Sequence, residues 1–267
     1  MGAKQLAWRA CYELLAARVR EPGWAFMNYG YAPVGAGAGL GASPQVELDP
    51  RDEPDRYCIQ LFRHALAGTE VRGADVLEVG SGRGGGAAHV SRYLHPRSTT
   101  GLDFSRRAVE LSRRHRRGPG LSFVAGDAQA MPFAAESFDV VVNIESSHCY
   151  ASMDAFLAEA HRVLRPGGVL AWADLRDAAG LATLHAQLAR SPLRCEAELD
   201  ITANVLRAME LDNERKLALI DAWIPRGFQR AIRPFAGIRG TRNHEGLARG
   251  DVRYLSARLV KPEAPPP

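Results

Sequence analysis

Residues 75–86 read Asp-Val-Leu-Glu-Val-Gly-Ser-Gly-Arg-Gly-Gly-Gly. The run Asp75 to Val79 has the length and the apolar, β-branched content of a strand. A loop with five glycines in seven residues, Gly80 to Gly86, follows at once, and Ala87 to Leu94 starts a helix. Glycines at such a turn let backbone approach a ligand, and free N–H groups at the helix start face it. The loop alone also fits a dinucleotide, so the surrounding residues decide what it holds.

Outward from this stretch, short apolar runs alternate with amphipathic ones. Thr99 to Asp103 reads as a second strand, and Ser105 is placed to cap a helix running to about Arg116. Leu121 to Ala125 is a third strand. Phe138 to Asn143 is a fourth, strongly apolar, as suits a strand covered on both faces. Met153 to Leu164 reads as a helix closed by Arg165-Pro-Gly-Gly168, and Val169 to Ala173 as a fifth strand. This alternation predicts an α/β fold: a doubly wound, Rossmann-like, seven-stranded and mostly parallel sheet. Residues 178–224 read as a helical insertion after the fifth strand, and Ala236 to Lys261 as two further strands. Before the core, residues 4–20 and 52–68 read as helices. Between them lie the aromatic segment Trp24, Phe26, Tyr29 and Tyr31 and a Gly/Ala-rich loop, 33–44.

Composition narrows the class. Apolar residues make up 46% of the 267 and charged residues 24%, as in a globular chain with a sizeable core. The net charge is only +4, and 31 of the 34 basic residues are arginine, the usage of a GC-rich genome. Neither a basic stripe with interleaved aromatics nor an Asn-Pro-Pro-Tyr-type segment points to nucleic acid. The four cysteines are widely spaced, which argues against a zinc site or a disulfide framework. No run is long and apolar enough to span a membrane, and residues 1–20 lack a signal-peptide core, so a cytoplasmic protein is expected.

Two carboxylates separate the ligand options. Asp103 ends the second strand, where it can accept both hydrogens of a ribose diol. Gly126-Asp127-Ala128 ends the third, placing a carboxylate and an amide beside an adenine edge. A nicotinamide cofactor would leave Gly126-Asp127-Ala128 without a role. With Glu78-Val-Gly-Ser-Gly82, Gly101-Leu-Asp103-Phe-Ser, Met131-Pro-Phe, Glu136-Ser-Phe-Asp139 and Leu164-Arg-Pro-Gly-Gly168, the set resembles the class I S-adenosylmethionine-dependent methyltransferases over residues 74–175. Phe26-Met-Asn28-Tyr-Gly, Asp52-Glu-Pro, Glu145-Ser-Ser-His148-Cys-Tyr150, Ala173-Asp174-Leu-Arg176 and Ser191-Pro-Leu-Arg194 extend it over most of the chain. There it is similar to the phthiotriol/phenolphthiotriol dimycocerosate O-methyltransferases and related natural-product methyltransferases.

The resemblance implies roles for particular residues. Gly80, Ser81 and Gly82 would pass under the methionine part of S-adenosyl-L-methionine, and Glu78 would support the loop or the cofactor's amino end. Asp103 would bind the ribose with Phe104 beside it, Asp127 and Ala128 the adenine, and Tyr29 and Asn143 would complete the pocket. It also implies four segments: a helical cap (1–70), the cofactor-binding core (71–177), an acceptor-side insertion (178–224) and C-terminal strands (225–267). The acceptor would be a small molecule, a polyketide, glycoside or lipid-like metabolite. The insertion helices also suit a homodimer.

For the chemistry, a sulfonium already activates the methyl group, so the enzyme must align an acceptor and take its proton. His148, just after the fourth strand, is the expected general base, since a free imidazole titrates at about 6.5. Asp174, ending the fifth strand, is its expected partner, with Glu145 a second candidate. An alternative is C- or N-methylation, or a non-catalytic or cyclase member of the same fold. No metal is expected. Arg83 and the histidines 64, 89, 95, 115, 161 and 185 read as surface residues, and Arg83 and Arg176 have no assigned role.

Overall fold

The computed structural model describes residues 24–34, 46–234 and 236–263. The helix expected at 4–20 and most of the loop expected at 33–44 lie outside them. The strands are β1 (Asp75–Val79), β2 (Ser98–Asp103), β3 (Leu121–Ala125), β4 (Phe138–Ile144), β5 (Leu164–Asp177), β6 (Arg194–Asp200) and β7 (Val252–Val260). The helices are α1 (Arg56–Ala65), α2 (Gly85–Tyr93), α3 (Arg106–His115), α4 (Met153–Val163), α5 (Ala178–Ala189), α6 (Thr202–Leu211), α7 (Asn213–Trp223), α8 (Arg226–Ile232) and α9 (Arg242–Arg249). They surround one seven-stranded sheet of order β3-β2-β1-β4-β5-β7-β6, in which β7 runs antiparallel to both its neighbours.

The two-residue period of the strands feeds two cores. On one face Leu77, Val141, Leu170 and Trp172 pack against Phe156, Leu157 and Ala160 of α4. On the other, Val76, Val140, Val142 and Ala171 pack against Leu61 and Phe62 of α1, Val90 of α2 and Val205 and Met209 of α6. Strand order reverses between β1 and β4, so a crevice opens at their carboxyl ends. The amino ends are locked by charge. Arg165 binds Asp139 at 2.7 Å and Asp75 at 3.0 Å, and Arg97 also pairs with Asp75. This gives Asp139 and Arg165, both in the matched motifs, a structural task at the pole opposite the crevice.

Three expectations are corrected. The insertion is mostly but not wholly helical, because β6 lies inside it and pairs with β7. All seven β6 residues are exposed, and although Cys195, Ala197 and Leu199 alternate with charged residues as in a strand, they cover no core. Correspondingly, 236–261 holds one strand, with helix α9 in place of the other and Gly250 (φ +79°) closing it. His64 and His89 are buried rather than on the surface, because α1 and α2 are covered by the strap 24–34 and by each other. His64 stacks on Tyr31 with ring centroids 4.4 Å apart. Burial lowers the two imidazoles to about 4 and about 3.

Gly86 marks how tightly α2 meets the sheet. A methyl group there would overlap both the Phe62 ring and the Glu78 carboxylate, whereas Gly227 on α8 has open space around it. Gly86→Ala should therefore destabilise the chain by roughly 1–3 kcal/mol. Gly227→Ala should be neutral or stabilising by up to about 1 kcal/mol. Urea denaturation followed by circular dichroism measures both.

Candidate active site

The crevice forms a cavity of ≈ 240 Å³. Its floor is the loop after β1, Gly80 to Arg83, with Glu78 and Gly86. Its sides are Asp103, Phe104 and Ser105 after β2, Gly126 to Gln129 after β3, and Glu145, Ser146, Cys149 and Tyr150 after β4. Gly80 is held at φ +79°, and a side chain there would run into the Ser146 hydroxyl. Asp103 is fixed by two backbone amides: Gly82 N–H donates to Oδ2 at 2.7 Å and Ser105 N–H to Oδ1 at 2.8 Å. Asp127 is held similarly by the Gln129 amide at 2.9 Å. Arg83 is not on the surface as expected: it is buried and lines the cavity, because the strap folds over its loop.

Residues 24–34 form that strap. Ala25, Phe26, Met27 and Asn28 close the cavity from above. Distant segments pin it. Tyr29 N–H donates to Glu145 Oε1 at 2.7 Å, Tyr31 N–H to Tyr57 O at 2.9 Å and Ala32 N–H to Asn204 O at 3.1 Å. The buried Lys216 ammonium reaches the Asn28 carbonyl at 3.3 Å. Tyr29 itself turns away from the cavity, and its hydroxyl accepts from Asn243 Nδ2 at 2.6 Å. Asn143 also stands behind the wall. Its Nδ2 donates to Val79 O, Ser146 Oγ and Tyr150 Oη at 2.8–2.9 Å, which fixes three residues that do line the cavity. Glu145 sits at φ +46°, a strained setting for a residue with a side chain, held by the Tyr29 amide and the Tyr254 hydroxyl at 2.9 Å.

His148 and Asp174, far apart in sequence, meet as expected. Asp174 Oδ1 lies 2.7 Å from His148 Nδ1, and Oδ2 accepts from His148 N–H at 2.8 Å and from Ser147 Oγ at 2.6 Å. Arg176 adds a contact at 3.1 Å, and Asp177 rather than Asp174 caps α5. Asp174 is fully buried. Burial alone would raise its pKa, but His148, Arg176 and the hydrogen bonds overcome it and hold the carboxyl well below the usual range. Burial likewise opposes charge on His148, yet the Asp174 carboxylate wins and holds the imidazole well above its ordinary value. His148 sits on the turn Ser147–Cys149, two residues after the cavity-lining Ser146 and next to the cavity-lining Cys149, with its side chain 24% exposed.

A model of the methyltransferase domain matches residues 77–172. Over 92% of this chain and 89% of the other, the sequence is 39% identical to a phthiotriol/phenolphthiotriol dimycocerosates methyltransferase of Mycobacterium tuberculosis. The chain belongs to the S-adenosylmethionine-dependent methyltransferases. This methyltransferase is also 35% identical to a fatty-acid O-methyltransferase of Mycolicibacterium smegmatis, over 97% of its own length and 91% of the relative's. Its fold matches a geranyl diphosphate C-methyltransferase of Streptomyces coelicolor solved with S-adenosyl-L-homocysteine. There the TM-score is 0.60 at 17% identity, with 94% and 98% of the two chains covered. The cavity of the methyltransferase suits that cofactor class. Glu78 Oε2 and Ser81 Oγ are buried without a protein partner in its lining, and such atoms call for a ligand or water.

Sequence reasoning passed over Met27, Ser105, Gln129, Ser146 and Tyr150 as cavity residues. Met27, Ser105, Ser146 and Tyr150 lay inside quoted motifs and Gln129 directly follows one, but the motifs alone do not say which of their residues face the cavity. Burial raises two of the cavity carboxyls, Glu145 to about 7 and Glu78 to about 8. A carboxyl raised on folding stabilises most below its ordinary pKa, and that contribution is lost as pH rises through the folded value. Thermal scans from about pH 5 to 8 without added cofactor should show the wild-type Tm falling relative to Glu145→Gln. A difference that stays constant with pH would contradict the shift.

Proposed function

We propose that this methyltransferase acts on a hydroxyl group of a lipid-like or polyketide-type metabolite, with His148 as general base. The His148–Asp174 pair beside the cavity wall carries the reading. Gly80, Ser81 and Gly82 would underlie the methionine part of S-adenosylmethionine, and Glu78 its amino end. Asp103 and Phe104 would hold the ribose side, and Asp127 and Ala128 the adenine. Tyr29 and Asn143 act from behind, by holding Glu145 and the Ser146–Tyr150 pair. When bound, the cofactor supplies a methyl group already activated by its sulfonium.

The protein's own residues then have separable tasks. The strap excludes water, which strengthens the polar contacts beneath it. Asp174 fixes the imidazole through Nδ1, so Nε2 is the nitrogen that exchanges a proton with the acceptor. A hydroxyl loses its proton only as its oxygen is methylated, and the Asp174 carboxylate stabilises the imidazolium formed on that transfer. Glu145 is placed to orient the acceptor hydroxyl. The lipid-like acceptor is supported by the two mycobacterial relatives, one named for dimycocerosates and one for fatty acids.

His148→Ala should lower turnover by ~10²–10⁴-fold. Its affinity for S-adenosylhomocysteine by calorimetry should stay within about twofold of wild type, because the ring is outside the cavity lining. Asp103→Ala should show the reverse, weakened cofactor binding first. Label transferred from the cofactor into an apolar metabolite extract reports turnover, and near-wild-type transfer by His148→Ala would sink the assignment.

A further inference from the structure

Residues 222–244 contain five arginines and no acidic residue. Arg226, Arg230, Arg233, Arg239 and Arg242 are all exposed, and none makes an ion pair among the described residues. Elsewhere on the chain arginines pair readily: Arg97, Arg165, Arg190, Arg215 and Arg249 each hold a carboxylate. The five belong to one compact corner. Arg226, Arg230 and Arg233 follow one another at helical spacing on and just after α8. The chain then folds back through hydrogen bonds from Ile238 N to Arg233 O, from Thr241 N to Ile238 O and from Asn243 Nδ2 to Pro234 O.

Apolar side chains stand among these charges. Phe228 is 45% exposed on α8 and Leu211 is 44% exposed at the end of α6. Leu211 is near Arg239, whose amide binds Asn213 at 3.0 Å. The corner also backs the strap. Gly237 packs on the Tyr29 ring, and Ile232 and Ile238 share an apolar cluster with Met27, which lines the cavity.

We infer that this corner docks peripherally on an anionic lipid bilayer. Unpaired guanidinium groups gain from the potential of anionic headgroups, and exposed aromatic and aliphatic side chains enter the headgroup–acyl boundary. A protein partner that matched five arginines would need a fixed set of carboxylates, whereas laterally mobile lipids supply the counter-charge wherever an arginine lies. Contact is at the surface, since no helix of the described residues is long and apolar enough to cross a membrane. The inference rests on the proposed lipid-like acceptor for its purpose: the acceptor would leave the bilayer beside the strap and its Met27 cluster.

Co-sedimentation of the full chain with phosphatidylcholine vesicles containing about one-third phosphatidylglycerol tests it. Binding is expected at about 0.1 M salt and should be lost by ~0.5 M. Vesicles of phosphatidylcholine alone should bind far less. The triple variant Arg226→Gln, Arg230→Gln, Arg233→Gln should partition more than about tenfold more weakly, and the matching triple Arg→Lys variant should retain binding. Arg107→Gln, Arg114→Gln, Arg117→Gln removes equal charge from exposed positions on and after α3 and should cost less than about threefold. Equal losses in both triple Gln variants, or no vesicle binding, overturn the proposal, including the case in which the corner retains an acidic protein instead. No acceptor or methyl transfer enters the assay. Vesicle binding by a chain that methylates no apolar hydroxyl would therefore defeat the functional reading and leave this surface standing.

Discussion

One buried carboxylate organises the mouth of the crevice. Asp174 has no solvent exposure, so its charge survives only because the fold surrounds it with donors. The Ser147 hydroxyl, the His148 ring and amide, the Leu175 amide and the Arg176 guanidinium all point at it. Those donors come from the turn after β4 and the end of β5, so the carboxylate fastens two neighbouring strands at the mouth of the crevice. Trp172 extends the network by donating from its indole to Ser147 Oγ at 2.9 Å. Removing any one partner would leave the others to compensate a charge that water cannot reach.

The second organiser is Glu145, and it works by a different route. Its strained backbone turns the carboxylate under the strap, where the Tyr29 amide and Tyr254 hydroxyl hold it. Asp174 is held ionised by cations, while Glu145 is raised toward neutrality by burial. Two carboxyl groups at adjacent strand ends thus differ in charge preference because their surroundings differ.

Much of this was legible because it is local. The glycines of 80–86, the carboxylates Asp103 and Asp127, and the apolar strands before them each declare themselves within a few residues. The His148–Asp174 pair was legible at one remove, since His148 follows β4 and Asp174 lies near the end of β5, and a parallel sheet sets these two strands side by side. Arg83, His64 and His89 were misplaced for the opposite reason. Their burial comes from helices and a strap that arrive from elsewhere in the chain, and no nearby pattern records it. The strand β6 escaped notice although Cys195, Ala197 and Leu199 alternate with charged residues, because the run is short, exposed and paired with a β7 that comes much later in the chain.

The strap has a consequence for the order in which the molecule is made. Its anchors lie at Tyr57, Glu145, Asn204, Lys216 and Asn243, spread over almost the whole length that follows it. Residues 24–34 are synthesised before every one of them. The strap must therefore wait for α9 before its last contact exists, and a copy made only as far as the core strands has the glycine loop without its finished cover.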